Sequence, residues 1–124
     1  MSKAMVVDDS RAIRLILAGT LSELGYEVCQ AANGKEALVA VEREQGAISL
    51  ILVDWNMPEM NGLELVQRLR ADARYASVSL MMVTTEAEMN QMAKALEAGA
   101  NEYVMKPFTK EIIADKLRIM GVIQ

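Results

Sequence analysis

The stretch Leu50-Ile51-Leu52-Val53-Asp54-Trp55-Asn56-Met57-Pro58 decides the fold: four apolar residues in unbroken succession run into an acid and then a proline-bearing turn. A strand with one wet face alternates apolar and polar residues, whereas an unbroken apolar run belongs to a strand covered on both faces of a parallel sheet. Working outward, four further runs, mostly continuously apolar, occur at residues 4–7, 28–32, 79–84 and 102–105. The segments between them have helical spacing. Ile13, Ile16, Leu17, Leu21 and Leu24 recur every three or four residues and stop at Gly25. Leu38 with Val41, Leu65 with Val66 and Leu69, Met89 with Met92, Ala93 and Leu96, and Ile113 with Leu117 and Met120 repeat the theme. Asn33 precedes Glu36 by three residues, as Asn61 does Glu64 and Thr85 does Glu88, each resembling a capping box, and Gly99 closes the fourth helix. Strand and helix therefore alternate five times, and right-handed crossovers place the helices on both faces of an open parallel sheet.

Composition narrows the chemistry. One domain is expected from 124 residues, of which 52% are hydrophobic. Thirteen Lys and Arg stand against seventeen Asp and Glu, a net charge of −4 with no basic run, so nucleic-acid binding is not expected. There is no histidine and only one cysteine, Cys29. Ser-His-Asp, Cys-His and His-ligated zinc chemistry are thereby excluded, as is an internal disulfide. Without a signal peptide or long apolar span, a cytoplasmic protein with no membrane association is expected.

In an open parallel sheet, ligands bind beyond the carboxyl ends of the strands. Asp8 and Asp9 end the first strand, Asp54 the third, Thr84 and Thr85 the fourth and Lys106 the fifth. Each has an ordinary reading. Asp8, Asp9, Thr84 or Thr85 could cap helices, Asp54 could serve the turn before Pro58, and Lys106 could be a solvated loop lysine. Caps account for one residue at a time. They do not require three aspartates, a hydroxyl and a lysine at one end of four strands. Clustered carboxylates without histidine favour a hard, oxygen-ligated ion such as Mg²⁺ over zinc or copper. A carboxylate beside such an ion can act as the nucleophile that forms an aspartyl phosphate. Phosphoryl transfer then needs chiefly positioning and charge neutralisation.

These residues resemble the receiver domains of two-component response regulators. The resemblance rests on Val-Val-Asp8-Asp9-Ser, Asp54-Trp-Asn-Met-Pro58, Met60-Asn61-Gly62, Val83-Thr84, and Gly99-Ala100 leading through Tyr103 to Lys106-Pro107-Phe108. It covers the whole chain and looks nearest to stand-alone chemotaxis regulators of the CheY type. It implies a flavodoxin-like doubly wound five-stranded parallel sheet of order 2-1-3-4-5 with five helices, a receiver domain over residues 1–124 and no output domain. Asp54 would be the phosphoacceptor. Asp8, Asp9, Asp54 and the backbone carbonyl of Asn56 would hold Mg²⁺, with Mn²⁺ as a substitute. Lys106 and Thr84 would bind the phosphoryl oxygens, Thr84 and Tyr103 would form the switch, and Asn56 and Glu86 would tune dephosphorylation. A cis Lys106–Pro107 bond is also implied.

The implied protein is a monomeric signalling module, catalysing only its own phosphorylation and dephosphorylation. Its phosphodonor would be a histidine kinase. Its effector, a flagellar motor switch protein or another protein, would meet the face of the fourth helix, fifth strand and fifth helix, where Met89, Lys94, Tyr103 and Lys110 are expected, and a phosphatase could reset it. The alternative within the family is a phosphate sink or phosphorelay carrier. Two other classes fit less well. An aspartate-nucleophile phosphatase needs a second carboxylate where Asn56 stands, and a nucleotide or flavin carrier needs a Gly-rich loop where Asp8-Asp9-Ser10 stands. Two departures from the family pattern are Asn61, where aspartate is frequent, and Thr85, where alanine or glycine is common.

Overall fold

The computed structural model describes residues 2–123, apart from the side chains of residues 86–88. Glu86 and Glu88, singled out above for dephosphorylation and for a capping box, thus lie outside the described side chains. Five strands, β1 (Lys3–Val7), β2 (Glu27–Ala31), β3 (Ile48–Asp54), β4 (Ser79–Thr84) and β5 (Glu102–Met105), alternate with helices α1 (Arg11–Glu23), α2 (Gly34–Arg43), α3 (Gly62–Arg70), α4 (Met92–Ala98) and α5 (Lys110–Ile119). All strand pairs are parallel and the order is β2-β1-β3-β4-β5. The expected bounds of β4 and β5 hold, while β3 starts two residues earlier and includes Asp54.

The unbroken apolar runs divide between two cores because successive side chains point to opposite faces. Met5, Val7, Ile51, Val53, Leu80 and Met82 pack with Leu65, Leu69 and Met92 of α3 and α4 on one face. Ala4, Val6, Leu50, Leu52, Met81 and Val83 pack with Leu17, Leu21, Ile113 and Leu117 of α1 and α5 on the other. Both faces of the sheet are covered, as the sequence pattern requires.

Several local details differ from the sequence reading. The cap of α1 is neither Asp8 nor Asp9 but Ser10, whose Oγ accepts from the Ile13 amide. The fourth helical segment begins as a 3₁₀ helix over Glu86–Gln91 before α4, so its phase differs from a continuous α-helix. Met92 and Ala95 are buried there, whereas Ala93 and Leu96 are exposed. On α1, Ile16 also faces solvent. Asn61 and Glu64 form the reciprocal capping box. At α2, Asn33 caps Glu36, but Glu36 accepts from the amide of Ala32.

Candidate functional site

Strand register builds the site. Val7 lies opposite Val53, so the residues that follow them, Asp8 and Asp54, emerge side by side between β1 and β3. In this sheet order that is the switch point where chain connections diverge and a crevice opens. Asp54 lies opposite Val83, and Thr84 opposite Met105, which carries the row on to Thr84 and Lys106. Backbone hydrogen bonds from Trp55 N to Val83 O (3.2 Å) and from Lys106 N to Thr84 O (2.7 Å) tie the three strand ends together.

Carboxylate oxygens of Asp8, Asp9 and Asp54 all lie within 4.8 Å of one another. Asp8 and Asp54 are buried, at 1% and 5% exposure, while Asp9 opens to solvent. The Lys106 ammonium sits 3.1 Å from Asp54 Oδ1 and 3.5 Å from Asp8 Oδ2. Burial pushes the Asp54 pKa up to about 6, and the Asp8 charge adds to this; the Lys106 hydrogen bond and charge oppose it, while Asp9 raises it slightly further. Burial disfavours the Lys106 ammonium, but Asp54 and then Asp8 outweigh it and its pKa is raised. One cation facing two buried carboxylates leaves a site short of positive charge.

The donor set is all oxygen, and its density of negative charge suits a hard divalent cation. Asp8, Asp9 and Asp54 therefore fit Mg²⁺ in chemistry and spacing.

Thr84 is fully buried, and its hydroxyl donates to Thr85 O at 3.3 Å. Tyr103 is half-buried and packs against the core beneath α3 and α4. The Lys116 ammonium stands over its ring at 4.6 Å while pairing with Glu102 at 3.3 Å. Asn56 is exposed in the loop after β3. Lys110 is drawn toward α1 by an ion pair with Glu23 at 2.7 Å. The Lys106–Pro107 bond is cis.

Two residues at the site were not given roles from the sequence. Arg14, one helical turn beyond Ser10, donates to the backbone carbonyl of Asp8 at 2.7 Å. Gly62 closes the loop after β3 by donating to Trp55 O at 2.9 Å. A Cβ on Gly62 would collide with the backbone carbonyl of Asp54 and lie 2.8 Å from the Met82 methyl. The Asn61-Gly62 pair was visible as a motif, but the need for glycine comes from this approach. Gly62→Ala is expected to destabilise the fold by about 2 kcal/mol, the scale of overpacking a fixed core. Denaturant unfolding checks this, and an unchanged midpoint would show that the loop yields freely.

The sheet order and the acidic crevice at its switch point place the protein among flavodoxin-like doubly wound domains, the class shared by flavodoxin and CheY. Within that class, the chain belongs to the response regulator receiver domain family, which matches it over residues 4–118. It is 43% identical over 119 residues to the chemotaxis protein CheY1 of Helicobacter pylori, covering 95% of each chain. To the chemotaxis protein CheY homolog of Campylobacter jejuni it is 43% identical over 116 residues, covering 93% of this chain and 88% of that one. The solved structure of Vibrio cholerae CheY4 superposes with a TM-score of 0.88 at 35% identity, over 97% of this chain and 98% of that one. The protein is thus a signalling module of the two-component type. Among the described residues, no helix is long and apolar enough to cross a membrane.

Proposed function

We propose that this chain is a cytoplasmic response regulator of chemotaxis, taking a phosphoryl group from a histidine kinase on Asp54 and thereby changing its affinity for a motor or other effector protein. The observation that carries this is the cluster of Asp8, Asp9 and Asp54 with the Lys106 ammonium 3.1 Å from Asp54. Asp8, Asp9, Asp54 and the Asn56 carbonyl would hold Mg²⁺. Bound there, the ion supplies positive charge to phosphoryl oxygens. With a pKa of about 6, Asp54 is mostly ionised at neutral pH and can attack phosphorus directly, so no general base is required. The P–N bond to the donor imidazole breaks as the P–O bond to Asp54 forms. Lys106 neutralises the phosphoryl oxygens and orients them.

Charge supplies the switch. Three carboxylates set against Mg²⁺ and Lys106 leave the site near neutrality. A phosphoryl group carrying about −2 in place of the Asp54 charge leaves an excess of about one negative charge. Thr84 answers it by turning its hydroxyl from Thr85 O toward the new oxygens, and Tyr103 follows into the space released. Two hydrogen bonds to charged oxygens, at about 1.5–3 kcal/mol each, supply about 3–6 kcal/mol. Inverting a 1:99 equilibrium takes about 5.5 kcal/mol. Over most of that range phosphorylation alone leaves the switch incomplete, and binding at the α4–β5–α5 face completes it. Lys94 and Tyr103 are the contacts we assign there.

Incubation with a small phosphodonor and Mg²⁺, followed by intact-mass analysis, tests the assignment. The wild-type protein should gain one phosphoryl group and Asp54→Asn none; equal labelling of the variant would overturn it. Capture of the effector by the phosphorylated form separates a regulator from a phosphate sink.

A further inference from the structure

The polar groups of Asp8 are held from β2, from the N-terminal turns of α1 and from Lys106 after β5. Its amide donates to Ala31 O at 3.1 Å, Oδ1 accepts from the Ser10 amide at 2.8 Å and Oδ2 faces Lys106 at 3.5 Å. Its backbone carbonyl accepts from Arg14 Nη1 at 2.7 Å, and Arg14 Nε donates in turn to Gln30 Oε1 of β2 at 3.2 Å. That carbonyl shares a rigid peptide plane with the amide of Asp9. Fixing the carbonyl therefore fixes the direction in which the chain enters Asp9. Among the described residues, the exposed Asp9 carboxylate has no hydrogen-bond partner of its own. With no such bond to hold it, its place within 4.8 Å of Asp8 and Asp54 depends on where the backbone aims it.

We infer that Arg14 is a positioning residue for cation binding: it locks the Asp8–Asp9 peptide so that the Asp9 carboxylate completes the acid cluster. The inference rests on the Mg²⁺-site reading proposed above and names a residue outside its ligand set. Arginine suits the task because its planar fork reaches Asp8 O and Gln30 Oε1 together, whereas an ammonium on a flexible stem holds no such pair of directions.

Two physical roles for Arg14 make opposite predictions. As a mere charge beside the cluster, it repels a divalent cation, so removing it would tighten binding. As a positioning residue, it pre-organises the ligands, so removing it weakens binding.

The test is calorimetric titration of the full chain with MgCl₂ at pH 8, on wild type, Arg14→Met, Arg14→Lys and Gln30→Ala. Metal-free unfolding is measured on each. Arg14→Met is expected to weaken Mg²⁺ binding about tenfold, the scale of losing a group that orients a ligand. Arg14→Lys, with its charge unchanged, should weaken it too, and Gln30→Ala by about twofold. Affinity in Arg14→Met that is equal to or tighter than wild type, or wild-type affinity in Arg14→Lys, overturns the inference. So does a fall in metal-free stability with affinity unchanged, since Arg14 would then be structural only. Should Arg14→Met fail to fold, Arg14→Lys and Gln30→Ala decide. A wild-type protein that takes up no Mg²⁺ at millimolar concentration would instead overturn the metal-site reading itself.

Discussion

Asp54→Asn is expected to be more stable than the wild-type protein at pH 8 in chelator, by about 1–2 kcal/mol, because burial first and the Asp8 charge second disfavour the ionised Asp54 carboxylate. The sign follows from linkage. The folded-state pKa of Asp54 is about 6, against an ordinary 3.8, so the folded protein binds the proton more tightly than the unfolded chain. This group's contribution therefore falls as pH rises from about 4 through 6 and stays low above that range. Each pH unit between the two values is worth about 1.4 kcal/mol, which sets an upper figure of about 3 kcal/mol. Asparagine keeps an acceptor for Lys106 and lets the ammonium pair with Asp8 alone, so most of the penalty goes. Urea unfolding from pH 4 to 8 checks this. The variant's advantage should vanish near pH 4 and reach its full size above pH 6.5. An advantage independent of pH would mean that packing, and not charge, separates the two proteins. The same variant should be stabilised less by Mg²⁺, having lost one anionic ligand.

Lys106→Met is expected to lose about 3 kcal/mol at pH 8, because removing one partner from a buried ion pair leaves uncompensated charge. Among the described residues, Lys106 is the cation in contact with both Asp8 and Asp54. Without it the two carboxylates repel, and the Asp54 pKa rises further. Part of the lost stability should return on acidification to pH 5, and part on adding Mg²⁺. Phosphoryl uptake should fall by about two orders of magnitude, as when one donor to a charged transition state is removed. Unfolding curves with and without Mg²⁺, set beside the labelling rate, measure all three. A variant as stable as wild type in chelator would show that solvent already screens the pair.

The sequence made the site's location legible because a parallel sheet delivers every strand's carboxyl end to one edge. Once residues 50–53 read as a buried strand, Asp54 had to emerge at the same edge as Asp8 and Asp9; that it stands directly beside Asp8 follows from the strand order, which only the family resemblance implied. The same logic placed Thr84 and Lys106, although it could not supply the spacing of the carboxylates.

What stayed hidden depended on contacts between distant or irregular segments. Around α4, Met92 faces inward as expected, but Ala95 joins it while Ala93 and Leu96 are exposed, because the segment Glu86–Gln91 before it winds as a 3₁₀ helix. Capping was the ordinary alternative for Asp8 and Asp9; Ser10 takes that role, and both acids reach the crevice, Asp8 while still accepting from the Ser10 amide. Lys110 fits an α4–β5–α5 face by position, but its ion pair runs to α1. Arg14 gave no linear signal, since its acceptor is a backbone carbonyl six residues earlier.

The proposed phosphoryl transfer to Asp54 is the step on which the signalling role depends. It is tested most directly by borohydride reduction of the protein after incubation with a small phosphodonor and Mg²⁺, followed by peptide sequencing. An aspartyl phosphate is an acyl phosphate and is reduced to homoserine, whereas phosphate esters of serine or threonine are not. Homoserine at position 54 alone, and its absence when Mg²⁺ is chelated, is the predicted result. Homoserine at position 8 or 9, or labelling that resists reduction, would contradict the account.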